Sequence, residues 1–339
     1  MSRRLFVALV ALLAGCTRDP DPMVEDVALV AAPATVRWTP ALDTSLAGSL
    51  SGVWGPSLEQ LVIVGGNEAG AQIASRDGEA WLQTELPGVP LLIWAYGFAA
   101  DDVYAVGVAG TMVHFDGARW STLAAGTRDD LWGVFGFAPD DLWIVGGDPF
   151  EGDPIVLHYD GHRFQSERIL DHPEGAHALF KIWGVDGELH AVGQRGLVVR
   201  RREGVWETVS AGPLADQDFV SLWGTARDRI FAVGGRSEGR IARYDGERWT
   251  TTAPGTPGLN AVQILGDELL VGGVHGFLAR HDPATGVTVV EAEGLVDLDV
   301  HALFATGPTS DGEGEAYAVG GSFAEPHRGV ALRRVPPSL

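Results

Sequence analysis

The chain has 339 residues, with 45 acidic side chains against 24 Lys or Arg, and so carries a formal charge of −21 at pH 7. That balance excludes a nucleic-acid partner, because holding a phosphate backbone takes a basic stripe. With 46 glycines, 19 prolines and a composition 45 % hydrophobic and 20 % charged, the chain is turn-rich and able to bury a core.

At the N-terminus Arg3 and Arg4 precede an apolar run from Leu5 to Ala14, which ends in Leu13-Ala14-Gly15-Cys16. A run of this length is too short to span a bilayer core, which takes about 20 helical residues. The closing tetrapeptide resembles the lipobox of bacterial lipoproteins. That resemblance implies that residues 1–15 are a signal peptide, that cleavage falls before Cys16, and that lipid on Cys16 anchors the chain to a membrane of the cell envelope. Thr17 rather than Asp follows the cysteine, which by the same resemblance implies the outer membrane. Residues 16–33 show no helical or strand period and read as a tether. Cys16 is the only cysteine, so an intrachain disulfide framework and a cysteine-based zinc site are excluded. Lys181 is the only lysine; no function follows from that skew.

From residue 34 onward one phrase recurs. Val-Gly ends an apolar alternation at Val64, Val106, Val145, Val192, Val233, Val271 and Val319, at intervals of 42, 39, 47, 41, 38 and 48 residues. This spacing is that of a four-stranded propeller blade, and it predicts an all-β, seven-bladed β-propeller over residues 34–339. The second copy, residues 91–120, shows the unit clearly. Strand A ends near Trp94, strand B is Val103 to Val106, strand C is Thr111 to Phe115, and strand D holds Trp120. No stretch carries a sustained helical period.

Strands C and D are joined by Asp77-Gly78, Asp116-Gly117, Asp160-Gly161, Glu203-Gly204 and Asp245-Gly246, which predicts type I′ hairpins. The rings that follow (Trp81, Trp120, Phe164, Trp206, Trp249) are expected in the wedges between blades. Trp54, Trp94, Trp132, Trp183 and Trp223 read as one repeated strand-A position serving inter-blade packing. His114, His158 and His281 read as one structural strand-C position. The segment Ser75-Arg76-Asp77-Gly78-Glu79-Ala80-Trp81 resembles a degenerate Asp-box, as in BNR, sialidase-like and Ycf48-like propellers. The resemblance implies the propeller fold over nearly all of the chain after residue 34; its motif specifies a turn rather than an activity.

The seventh copy stops at Pro336-Pro337 with no outer strand of its own. Ala34 to Thr39, with Val36 and Trp38, matches the missing strand, so the N-terminal side is expected to close the ring and cover that edge.

The A–B and C–D turns repeat acids and Asp-Gly, whereas the B–C and D–A loops vary from copy to copy and so are free to specialise. On that variable face Asp148, Glu151 and Asp153 crowd one loop, but without the spacing of a calcium loop. His172 and His177 share the long loop after the third copy, with no third ligand nearby. Arg195, Arg236, His275 and His327 follow Val-Gly in copies four to seven and are candidates for an arc around the channel mouth. These nine residues are the candidate ligand-binding set; no metal, cofactor or catalytic residue is assigned. Arg-Ile-Pro, HExxH and Walker-type segments are absent, and Gly235-Arg236-Ser237-Glu238-Gly239, which spells GxSxG, is not followed by the helical period that a nucleophile elbow needs, so hydrolase and nucleotide chemistry find no support. The expected function is that of a non-enzymatic lipoprotein scaffold that binds an envelope protein. Carbohydrate binding or adhesion is the alternative, and a polysaccharide-acting enzyme the second alternative.

Overall fold

The computed structural model describes residues 29–31, 36–45, 47–169, 171–306 and 314–335. Cys16, the signal-peptide segment and most of the tether lie outside them. The strands form seven sheets, lettered here A to D from the centre outward. Blade one comprises Ser49–Ser57, Gln60–Asn67, Gly70–Asp77 and Ala80–Pro87. Blade two comprises Leu92–Ala99, Asp102–Gly107, Met112–Phe115 and Trp120–Thr122, and blade three Leu131–Ala138, Asp141–Asp148, Glu151–Tyr159 and Phe164–Glu167. Blade four comprises Leu179–Val185, Glu188–Gly193, Val198–Arg202 and Val205–Thr208, and blade five Phe219–Ala226, Arg229–Gly234, Arg240–Tyr244 and Trp249–Thr252. Blade six comprises Leu259–Leu265, Glu268–Gly273, Leu278–His281 and Thr288–Ala292. Each strand A contacts strand A of the next blade, and that of blade seven contacts that of blade one, so the sheets close into a ring. The described residues contain no α-helix, only three single 3₁₀ turns, and no helix long and apolar enough to cross a membrane.

Blade seven supplies Asp299–Ala305, Ala316–Ser322 and Arg328–Val335 and takes its outer strand from Arg37–Pro40, with Trp38 opposite Arg334. The N-terminal side thus closes the ring as its sequence pattern indicates; the strand begins at Arg37, and residues 34–35 lie outside the described set. The join is bolted to blade six. Glu291 on its outer strand accepts hydrogen bonds from Arg334 (2.6 and 2.8 Å), Arg280 (2.9 Å) and the Trp38 indole N–H (3.1 Å). The side chains of Arg334 and Glu291 are both fully buried. The last tether residues depart from expectation: Leu29–Ala31 lies parallel to Thr288–Ala292 as a fifth strand on blade six. Three residues are too few for a strand period to show in the sequence.

The register corrects the tryptophan alignment. Trp54, Trp183 and Trp223 share one strand-A position with Tyr96, Phe135 and Phe304, each pairing with the second residue of its strand-B apolar run or its neighbour. Trp94 and Trp132 do not belong to that position: they lie two and three residues before it, and Trp132 lines the channel. Rings from one blade rest on a glycine of the next. Trp54 lies over Gly97, Phe98 over Gly136, Phe137 over Gly184 and Trp183 over Gly224, each so close that a Cβ there would come within 2.8 Å of the ring. This is the physical reason for the repeated aromatic-Gly pair. Further out, Trp81 meets Tyr317 of blade seven, Trp206 meets Trp143 of blade three, and Trp249 meets His190 of blade four, so these rings do fill inter-blade wedges.

Two further expectations are corrected. His114 and His158 are equivalent, each stacked on a strand-B ring and bonded to Asp102 or Asp141, but His281 sits one residue further along its strand and so faces the other way. Among the Asp-Gly or Glu-Gly turns, Glu203-Gly204 has the paired positive φ of type I′ (52° and 84°). At Asp116, Asp160 and Asp245 the aspartate instead accepts the backbone N–H groups two and three residues on, at 2.9–3.0 Å, and glycine alone takes positive φ. The N–H of Arg163 foremost, these bonds hold the Asp160 carboxyl down at about 2.

Buried His190 carries a pH-dependence. Burial pushes its pKa down to about 4, against the pull of Glu188 at 3.0 Å. The folded state therefore keeps the ring neutral where the unfolded chain, near 6.5, has already protonated. The stabilisation is complete above pH 6.5 and is lost as pH falls toward 4, amounting to about 3 kcal/mol. Urea unfolding of His190→Gln should show a smaller loss between pH 7 and 4 than the parent; an identical loss would remove His190 from the account.

Candidate functional site

Each strand A carries a β-bulge near its start. The register slips at Ser51, Ile93, Trp132, Phe180, Val220, Asn260 and His301, one per blade. A bulge re-aims the side chain of the extra residue, and here it turns all seven toward the central channel. They line a funnel of about 470 Å³ on the face made by the B–C and D–A loops, together with Lys181, Gln194, Asp218, Arg236, Asp299 and Phe323. The lining is chiefly apolar, with Trp132 edge-on to Phe180 at 5.3 Å and His301 against Phe323 at 4.5 Å.

The rim is braced between neighbouring blades. Ala109, Arg195 and His275 take the same left-handed conformation, with φ of 54–55°, in the B–C turns of blades two, four and six. Their backbone N–H groups donate to Asp130, Asp218 and Asp299, the acids at or just before the start of strand A of the following blade, at 2.9–3.0 Å. Burial first, then repulsion from Asp148 and Asp129, raises the Asp130 carboxyl against the pull of the Ala109 N–H. Burial likewise lowers the His301 imidazole, against the pull of the Gly321 carbonyl that its Nε2 bonds at 3.0 Å.

The nine candidate residues separate into three places. Arg236 reaches the funnel mouth and pairs with Asp218 at 2.9 Å. Arg195 and His275 are equivalent turn apices with exposed side chains, where the backbone makes the rim contact. His327 lines a separate crevice of about 510 Å³ with Asn67, Val89 and Glu325. Asp148, Glu151 and Asp153 occupy the B–C hairpin of blade three, and the loop carrying His172 and His177 docks on it. His177 Nδ1 lies 2.6 Å from the Gly152 carbonyl, and His172 lies 3.6 Å from Asp153. Among the described residues no group of three or more His, Cys, Asp or Glu side chains is placed to hold a metal.

Apart from Arg236, sequence reasoning missed the funnel lining. One signal was present: in Leu179-Phe180-Lys181-Ile182-Trp183 a lone lysine interrupts an apolar strand, where the equivalent residues are Gly52, Trp94, Gly133, Ser221, Ala261 and Ala302. The bulge that turns Phe180 inward had no signal, since a bulge shifts the alternation that sequence patterning relies on.

A closed ring of seven four-stranded blades with a funnel at one channel mouth defines a seven-bladed β-propeller. No family model matches the chain, and no curated protein does. Solved structures do. Ycf48 bound to D1 peptide matches with TM-score 0.64 and 14 % identity, over 91 % of this chain and 99 % of that one. Virginiamycin B lyase from Staphylococcus aureus matches with TM-score 0.68 and 13 % identity, over 88 % and 99 %. The WD40 propeller domain of Doa1 gives 0.65 and 9 %, over 87 % and 96 %. At these identities the likeness is one of fold, and a fold shared by a lyase and a peptide-bound protein assigns no activity.

Proposed function

We propose that this protein is a non-enzymatic interaction scaffold whose funnel receives an apolar or aromatic segment of a protein partner. The carrying observation is the bulge ring. Seven equivalent positions hold seven different side chains, aimed into a cavity lined mostly by apolar groups with a few polar ones, as ligand sites are built. The opposite face repeats its turn chemistry from blade to blade. The propeller likeness to Ycf48 bound to D1 peptide supports a protein ligand over a sugar. So does Trp132, whose indole N–H is already committed to the Gly147 carbonyl at 3.0 Å.

The lipobox-like Leu13-Ala14-Gly15-Cys16 supports anchoring through Cys16 to the outer membrane. In membranes, Cys16→Ala should abolish metabolic fatty-acid labelling and release the protein. A partner that co-purifies with the parent should be lost from a Trp132→Ser/Phe180→Ser variant that keeps native circular dichroism, and kept by Asp102→Asn/Asp141→Asn. The reverse pattern would place recognition on the turn face and overturn the reading.

A further inference from the structure

Lys181 sits at the base of the funnel, its side chain all but buried at 7 % exposure, with Nζ 3.2 Å from the centroid of the Trp94 ring. Trp94 belongs to blade two and Lys181 to blade four; blade three offers only Gly133 at this level, which leaves the path between them open. Among the described residues the amine has no hydrogen bond and no carboxylate partner. The acids at the mouth are committed elsewhere, Asp218 to Arg195 N–H and Arg236, and Asp299 to His275 N–H. The other titratable group beside it is His301, bonded to Gly321. Folding does not ask for a lysine here, since six blades hold small residues or Trp94 at the equivalent place.

A desolvated amine is the form in which lysine acts as a nucleophile. Burial pushes the Lys181 amine well below the usual lysine range. The Trp94 face favours the ammonium, but a single ring replaces little of the hydration lost.

We propose that Lys181 is a covalent capture site for a small hydrophobic aldehyde or ketone entering the funnel. The Nζ lone pair attacks the carbonyl carbon and forms a C–N bond, giving a carbinolamine. The carbon–oxygen bond then breaks, the oxygen leaves as water carrying the two amine hydrogens, and an imine remains. No electrons are exchanged with a third party, and protons pass through solvent at the open mouth. Ile93, Phe180 and Val220 supply the apolar wall for the ligand body and slow the return of water to the imine.

The test uses the full chain, benzaldehyde and cyanoborohydride, with peptide mapping by mass spectrometry; with one lysine in the chain, an adduct is either on Lys181 or on the terminal amine. At pH 7 the Lys181 adduct should form severalfold faster than on the ε-amine of free lysine, because the burial that lowers its pKa raises the neutral fraction. The rate should level off well below pH 10. Lys181→Met should abolish the adduct, and unfolding the parent in urea should remove the excess rate. A rate no greater than that of free lysine at every pH, or an excess that survives urea, overturns the proposal. The reaction is read on the isolated chain, so its failure leaves the partner-binding reading standing, and loss of partner binding leaves this one standing.

Discussion

Replacing Glu291 by Ala is expected to lower the free energy of unfolding by about 3–5 kcal/mol, the range for breaking a buried ion pair by removing one partner. The carboxylate is shared by Arg334 of blade seven, Arg280 of blade six and Trp38 of the closing strand, and its removal leaves the Arg334 guanidinium charged in a site with no water contact. Because the three partners come from both ends of the described chain, the loss falls on ring closure rather than on one sheet. Deleting residues 34–39 should act in the same direction by uncovering the edge of Arg328–Val335, whereas deleting residues 19–27 should leave the melting temperature unchanged. Denaturant titration of Glu291→Ala measures the first effect. A loss under about 1 kcal/mol would show that Glu291 is not what joins blade seven to blade six.

Trp183→Ala is expected to cost about 3–5 kcal/mol, as for other buried aromatic truncations. Its ring lies against Gly224 of blade five and 6.3 Å from Phe135 of blade three, so one side chain ties three blades. Gly224→Ala tests the same contact from the other side. The three atoms nearest an added Cβ all belong to Trp183, at 2.8–3.0 Å, and overpacking of this kind costs about 1–3 kcal/mol. The two changes should therefore couple: in the Trp183→Ala background Gly224→Ala loses its penalty, because the ring it would strike is gone. Additive effects in this double-mutant cycle would refute the ring-on-glycine account of the Trp-Gly repeat.

The seven blades were legible because each spells the same alternation ending in Val-Gly at a regular interval, and period and turn chemistry are local properties. The closing strand was legible for a related reason: the last repeat lacks an outer strand, and the segment around Trp38 has the form of the missing piece. Local patterning failed where a residue's direction depends on pairing. Trp94 and Trp132 looked like members of the Trp54 position because spacing alone does not reveal a bulge, and His281 looked equivalent to His114 because a one-residue offset is visible only in register. The same limit hid the candidate site. Phe180, Asn260 and His301 are unremarked members of apolar strands until a bulge in each blade turns them to a common axis, and that the backbones of Arg195 and His275 brace the rim on Asp218 and Asp299 is visible only in the assembled ring. Which residues repeat is written along the chain; which of them meet is settled by the ring, where side chains from seven blades, far apart in sequence, converge on one channel.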